Sequence, residues 1–131
     1  MAISFDKALG LAQHTVGIRS QRAELIASNI INADTPHYKA RDLDFASAMR
    51  NAKSSLNTSM ARTNDKHFNL NASVSDGIGY RVPNQPDTGD GNTVDVQVER
   101  NLYMQNSLEY QSSLQFLGGR FKGLRLAIKG A

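Results

Sequence analysis

The first stretch of the chain places apolar residues at alternating steps of four and three, interrupted only by Arg19. Such steps put side chains on one face of an α-helix, as in the seam of a coiled coil. This stripe consists of Phe5, Leu9, Ala12, Val16, Ala23, Ile26 and Ile30. We predict a helix over residues 5–32, ended by Pro36, because the residue before a proline disfavours helical backbone.

The last third of the chain shows the same spacing. Asn92 and Thr93 offer a turn and a cap, so we predict a second helix over residues 92–130. Its stripe consists of Tyr110, Leu114, Leu117, Phe121, Leu124 and Ile128. Gly118, Gly119 and Gly123 would each cost about 1 kcal/mol in a helix interior, so this helix needs a partner to pack against.

The middle region, residues 33–91, has a different pattern. Residues 43–49 suggest a short helix, and residues from Lys53 to Lys66 are typical of a loop. Residues 68–74 and 78–82 alternate apolar with other residues on either side of Asp76-Gly77, which predicts a β-hairpin with a tight turn. We therefore expect one mainly α domain over residues 1–131. Its two long terminal helices form a coiled-coil pair, with the short helix, the hairpin and loops between them.

Composition narrows the chemistry that the chain can perform. The chain has 40% apolar and 21% charged residues, the balance of a folded soluble protein, and no cysteine, which excludes disulfides and thiolate chemistry. His14, His37 and His67 show no spacing that would gather metal ligands on one face. No phosphate-binding glycine pattern or nucleophile motif is present. We expect no catalytic, cofactor-binding or metal site, and no enzymatic activity.

The net charge of +3 leaves two interpretations open. Arg120, Lys122, Arg125 and Lys129 alternate with apolar residues, as in basic amphipathic helices that bind anionic surfaces. Cations in the last turns of a helix also simply complement its dipole. A binder of nucleic acid or of an anionic membrane surface is therefore the alternative function. The pattern predicts neither a cleaved secretory signal nor a membrane span.

The sequence around the end of the first helix closely resembles the signature of bacterial flagellar rod and hook proteins. The matching positions are Ala27, Asn29, Ile30, Asn32, Ala33, Asp34, Thr35, Pro36 and Tyr38. Residues 41–45, 80–83, 90–95 and 114–130 extend the resemblance over the whole chain, closest to the proximal-rod members of the family. Ser28, Ile31 and His37 depart from the usual residues. At His37 the family has glycine, so we expect a turn with positive φ there.

The resemblance implies a structural subunit of the proximal rod, the shaft of the flagellar basal body that crosses the periplasm. Implied partners are further copies, other rod proteins, and the adaptor and MS-ring proteins at the rod base. The resemblance also implies that the chain is exported through the flagellar gate without a cleaved signal. Phe45 and Met49 resemble the short motif by which such substrates engage that gate, although packing in a core would equally explain both residues.

Overall fold

The computed structural model describes residues 8–57, 77–83 and 89–130. Its elements are α1 (Leu11–Ile31), β1 (Arg41–Leu43), α2 (Phe45–Asn57), β2 (Ile78–Tyr80) and α3 (Val96–Lys129). The prediction of a mainly α fold with long terminal helices is confirmed. A short helix and two paired strands lie between the terminal helices, also as expected.

The terminal helices α1 and α3 pack against each other in antiparallel orientation. The side-chain amide of Asn29, near the end of α1, donates a hydrogen bond to Glu99 at the start of α3 (3.2 Å). Two turns further along α3, the side-chain amide of Asn106 donates a hydrogen bond to the backbone carbonyl of Arg19 (2.9 Å). Residue numbers therefore fall along α1 as they rise along α3.

Helix α1 is shorter than predicted at its start. Ala8 and Leu9 are helical, but Gly10 has φ of +56° and separates them from α1. The predicted uninterrupted helix from residue 5 is therefore divided at Gly10, a residue without the Cβ that makes this backbone region costly. The end agrees with the prediction, because the helix stops at Ile31, shortly before Pro36.

Helix α3 begins four residues later than predicted. Its cap is Asp95, whose side chain accepts hydrogen bonds from the backbone N–H groups of Gln97 (2.9 Å) and Val98 (3.3 Å). Thr93, expected in the cap, instead accepts a hydrogen bond at its hydroxyl from the backbone N–H of Ala40 (2.8 Å). A carboxylate serves well at this position because it also meets the positive end of the helix dipole.

The strand pairing includes a partner that the sequence did not predict. β2 is present where the second hairpin strand was expected, and it pairs with β1 in antiparallel register, with Arg41 opposite Tyr80 and Leu43 opposite Ile78. Residues 68–76, the predicted first strand and turn, lie outside the described residues. Gly77 has the positive φ expected of it, at +70°, and its carbonyl accepts a hydrogen bond from the backbone N–H of Asp44 (2.9 Å).

Helix α2 starts after Asp44, whose carboxylate accepts a hydrogen bond from the backbone N–H of Ala46 (3.0 Å), as a helix cap does. It continues to Asn57, so the loop predicted from Lys53 onwards is helical in its first residues. The small apolar core lies where α1, β1 and α2 meet. Its buried apolar residues are Leu9, Ile26, Ala40, Leu43 and Ala48.

Candidate assembly interface

The most buried residues of α3 are polar. Glu99 and Asn106 are each 1% exposed and Ser113 is 8% exposed. They are seven residues apart, which is two turns of helix, so they form one stripe. The Ser113 hydroxyl donates to the carbonyl of Glu109 in its own helix (2.8 Å). Polar residues at such positions fix the register of a helix pair while contributing less stability than apolar residues would.

The apolar stripe predicted on α3 lies partly beside this contact and partly outside it. Tyr110, Leu117 and Leu124 are half-buried. Leu114, Phe121 and Ile128 are 42%, 49% and 85% exposed. These last three are also seven residues apart and follow the polar stripe by one residue, or about 100° around the helix. We call Leu114, Phe121 and Ile128 the outer stripe.

The first predicted stripe, most of which lies on α1, faces inwards. Leu9 and Ile26 are buried, and Ala12, Val16 and Ala23 are half-buried, while Phe5 lies outside the described residues. Arg19, which interrupts the stripe, forms an ion pair with Glu109 and places its guanidinium 3.8 Å from the centre of the Phe45 ring. This residue therefore joins all three helices through one cationic side chain.

The signature turn after α1 is organised by Asn29, which is fully buried. Its side-chain amide donates to the carbonyl of Arg41 (2.7 Å), and its side-chain oxygen accepts from the backbone N–H of the same residue (3.0 Å). Asn29 thus pairs with β1 as a neighbouring strand would. Its oxygen also accepts from the hydroxyl of Tyr38 (3.3 Å), which holds the chain leaving the turn.

Other signature residues close the turn itself. The side-chain amide of Asn32 donates to the carbonyl of Ser28 (2.8 Å), as expected for a residue at a helix end. The Thr35 hydroxyl donates to the Asn32 side-chain oxygen (3.2 Å). His37 has φ of +62°, which confirms the expected positive φ. Ala27, Ile30 and Ala33 are half-buried, whereas Asp34 and Pro36 are exposed.

A network of ion pairs lies beside the turn and connects it to β2 and α3. Asp42 accepts two hydrogen bonds from Arg22 (2.9 and 3.1 Å) and one from Arg81 (2.9 Å), and Arg81 also forms an ion pair with Glu99. Burial alone would raise the pKa of Asp42, but hydrogen bonds from Arg22, the Leu43 backbone and Arg81 hold that pKa below its usual value. The Asp42 hydrogen bond raises the pKa of Arg22 in turn.

Sequence reasoning assigned no role to this network. Asp42 and Arg81 stand in segments that carried the family resemblance, but pattern alone does not show that they meet. The sequence did contain a signal for Glu99, because Glu99, Asn106 and Ser113 follow one another at intervals of seven residues. A polar stripe of that period is what a register-fixing helix seam would show.

The two residues proposed for the export gate pack inside the folded chain. The half-buried ring of Phe45 lies against the Arg19 guanidinium. The sulfur of Met49 accepts a hydrogen bond from the Thr15 hydroxyl (3.6 Å). Both contacts hold α2 against α1, so the folded chain uses Phe45 and Met49 for packing.

Neither a metal site nor a membrane-spanning helix is found among the residues that the structure describes. Within residues 8–57, 77–83 and 89–130, no three histidine or acidic side chains gather as a metal site would require. No helix in the same ranges combines the length and apolar content needed to cross a bilayer.

Comparison with characterised proteins identifies the family. The chain is 52% identical over 130 residues to the flagellar basal body rod protein FlgB of Aeromonas hydrophila, covering 99% of this chain and 98% of that protein. The chain belongs to the FlgB family. FlgB proteins of Salmonella typhimurium and Escherichia coli are 41% and 40% identical over 132 and 131 residues, and the match covers 95% of this chain in both. No family model matches the chain.

Membership of the FlgB family makes the chain a structural subunit of the flagellar basal-body rod. The resemblance seen at residues 27–38 is thereby confirmed at the level of the whole chain. The alternative function, binding of nucleic acid or of an anionic membrane surface, finds no support in these relatives, all of which are named as rod proteins.

Proposed function

We propose that this FlgB-family chain joins its neighbours in the rod through the outer stripe of α3. The observation that carries the proposal is the exposure of Leu114, Phe121 and Ile128 at a regular two-turn interval, beside a contact with α1 that is itself polar. Contiguous exposed apolar residues mark surfaces that bind other proteins. A neighbouring helix that covers this stripe would bury what α1 leaves open.

The chemistry of the stripe favours a protein neighbour in a helical array. Gly118, Gly119 and Gly123 lie within α3, and a Cβ atom built on each would meet no atom of the described residues within 4 Å. Packing within the described part of the chain therefore gives no reason for these glycines. A closely approaching helix would provide one, because glycine lets two backbones come near each other. The neighbours we propose are further copies, other rod proteins, and the adaptor and MS-ring proteins at the rod base.

We propose that the chain lies in the rod within the periplasm, which it reaches through the flagellar export gate without a cleaved signal. We assign no catalysis, metal or cofactor to the chain. The contacts that support this function belong to helix pairing: the polar stripe of Glu99, Asn106 and Ser113 faces inwards and the outer stripe faces outwards. A shaft that transmits torque needs overlapping helices of this kind along its length.

The test of the assembly surface replaces Phe121 with glutamine. Because Phe121 is half-exposed, Phe121→Gln should leave the helicity of the purified chain unchanged while strongly reducing its recovery in isolated basal bodies and its support of swimming. Phe116→Gln is the matched control, since Phe116 is 74% exposed but lies about 140° away around α3. Full motility with Phe121→Gln, or equal loss with both variants, would refute the proposal.

The export role of Phe45 and Met49 is proposed as a step that precedes folding. The ring of Phe45 is covered by Arg19 in the folded chain, so the gate can engage it only while α2 is undocked. Phe45→Ala should therefore reduce the amount of chain exported, measured in the periplasmic fraction of a strain that lacks the rod. Arg50→Ala, an exposed change on α2, is the control. Normal secretion with weakened assembly would remove the export role and leave only packing.

A further inference from the structure

The C-terminal half of α3 is an exposed and positively charged surface. Every residue in the range 114–130 is exposed apart from Leu117 and Leu124, which are half-buried. The last acidic residue of the chain is Glu109, so the charged side chains of residues 110–131 are all cations. A protein that covers the outer stripe would therefore also meet this positive charge.

Three of the cations lie in one row beside the outer stripe. Lys122 and Lys129 each follow a residue of the outer stripe by one position, which places them about 100° from it, on the side away from the polar stripe. Arg125 lies between them and the outer stripe, about 40° around the helix from Phe121. We call Lys122, Arg125 and Lys129 the basic row. All three are exposed, and none forms an ion pair within the described residues.

The helix dipole accounts for one member of the basic row. A cation complements the dipole within the last turn of a helix, and the effect falls off beyond that turn. Lys129 is the basic residue in the last turn of α3. Arg125 and Lys122 lie about one and two turns before it. Their position beside the outer stripe therefore has another cause.

We propose that the neighbour covering the outer stripe is a different protein, with an amphipathic helix whose apolar stripe is flanked by carboxylates that face the basic row. The inference rests on the proposed function, because the outer stripe must first be an interface. Complementary charges beside an apolar contact fix the orientation of a partner and reject wrong partners. Gly118, two turns before Arg125 on the same face, leaves room for that helix to approach.

The charges of this chain's own helices argue against a second copy on this face. In α1 the one acidic residue is Glu24, and α2 has none. In α3, Glu99 is buried and paired with Arg81. Glu109 is paired with Arg19. The described helices of a second copy would therefore offer one unpaired carboxylate, Glu24, to a row of three cations.

The test reverses one charge in the basic row and makes the same change outside it. Arg120 is also exposed and without an ion pair among the described residues, but it precedes Phe121 by one position and lies on the other side of the outer stripe. Arg125→Glu should lower recovery of the chain in isolated basal bodies by more than about tenfold, because like charges would face each other. Arg120→Glu should keep the recovery of the parent. Arg125→Gln should lower recovery by less than about fivefold, the range of one exposed ion pair.

Export is measured in parallel, in the periplasmic fraction of a strain that lacks the rod. If Arg125→Glu lowers export, Lys122→Glu decides in its place against the same control. Equal recovery of the Arg125→Glu and Arg120→Glu chains, or an equal loss with Arg125→Gln and Arg125→Glu, would overturn the inference. Phe121→Gln separates the two proposals, because a loss with Phe121→Gln and parental recovery with Arg125→Glu would leave the proposed function standing alone.

The identity of the neighbour is tested by treating isolated basal bodies with a carbodiimide, which joins a lysine amine to a carboxylate in contact with it. We expect Lys122 or Lys129 to be joined to an aspartate or glutamate of another protein, identified by mass spectrometry. The double variant Lys122→Arg/Lys129→Arg keeps both charges but should lose these products. Products with a second copy of this chain, or no product at either lysine, would overturn the inference.

A lipid surface is the other occupant that an exposed basic and apolar helix face could meet. The purified parent and the Arg125→Glu variant are therefore mixed with vesicles of phosphatidylethanolamine and phosphatidylglycerol and separated by flotation. Neither chain should float with the vesicles. Flotation of the parent that Arg125→Glu abolishes would assign the basic row to a membrane and overturn the inference.

Discussion

Removing either partner of the ion pair between Arg81 and Glu99 should have unequal effects on stability. Glu99 is 1% exposed, whereas the Arg81 side chain is 23% exposed. After Arg81→Met, the one side-chain partner that Glu99 keeps among the described residues is the amide of Asn29 at 3.2 Å. A buried charge left without its partner costs about 3–5 kcal/mol. Asp42 contributes little to this loss, because it retains both hydrogen bonds from Arg22.

Glu99→Gln should cost less, about 1–2 kcal/mol. The glutamine has the shape of the glutamate and can still accept a hydrogen bond, and Arg81 keeps Asp42 at 2.9 Å. The double variant, which removes both charges, should be less destabilised than Arg81→Met alone. The coupling free energy between the two positions should therefore reach about 2 kcal/mol.

The measurement is urea unfolding followed by circular dichroism, with the four proteins of the cycle at one pH and salt concentration. Glu24→Gln is the control, because Glu24 is exposed on α1 and its loss should change the free energy of unfolding by less than about 0.5 kcal/mol. Costs that simply add, within about 0.5 kcal/mol, would show that the pair does not act as a unit. So would an Arg81→Met cost no larger than that of Glu99→Gln.

Three further changes test separate parts of the structure. The pKa of Asp42 is lowered in the folded chain, so its carboxylate adds stability above the unfolded-state pKa of about 3.9, and this is lost as pH falls through the folded pKa. Asp42→Asn should therefore destabilise most at neutral pH, and the difference from the parent in urea titrations should shrink below about pH 4. Gly123→Ala should raise the free energy of unfolding by about 1 kcal/mol, because its Cβ has open space; destabilisation would indicate an undetected contact. Asn106→Leu should keep or raise stability while broadening the distance between labels on α1 and α3, because the amide that fixes the register through Arg19 is gone.

The parts of the fold that depend on local chemistry could be predicted from the sequence. The end of α1 follows from Pro36, and the positive φ of His37 follows from its place in the turn. The partner of β2 could not be found in this way. Asp76-Gly77 is a local turn signal, whereas the pairing with Arg41–Leu43 joins segments with α2 between them, and short strands carry no label for a distant partner.

The face that α3 turns towards α1 could not be predicted from the apolar pattern, for a different reason. An apolar stripe predicts the buried face because burial of apolar surface is the usual driving force. In this chain, Glu99 and Asn106 occupy that face: Arg81 and Asn29 pair with Glu99, and the Arg19 carbonyl accepts a hydrogen bond from the Asn106 amide nitrogen. The side-chain oxygen of Asn106 has no hydrogen-bond partner among the described residues. The partners lie in α1 and just after β2, far from α3 in the sequence, so the local pattern does not show that these polar residues are buried.

The arrangement of stripes on α3 bears on how a rod subunit can be held. Fully burying a leucine, isoleucine or phenylalanine contributes about 1.5–3 kcal/mol, and the isolated chain leaves much of this unrealised at Leu114, Phe121 and Ile128. The contact with α1 includes buried polar residues, which specify register, whereas the outer stripe leaves apolar residues exposed. In the assembly that we propose, these apolar residues would supply affinity for a neighbour, and the contact with α1 would fix the orientation of the surface that the neighbour meets. Affinity without that fixed orientation would permit several rotations of α3, and a shaft of repeating subunits requires one.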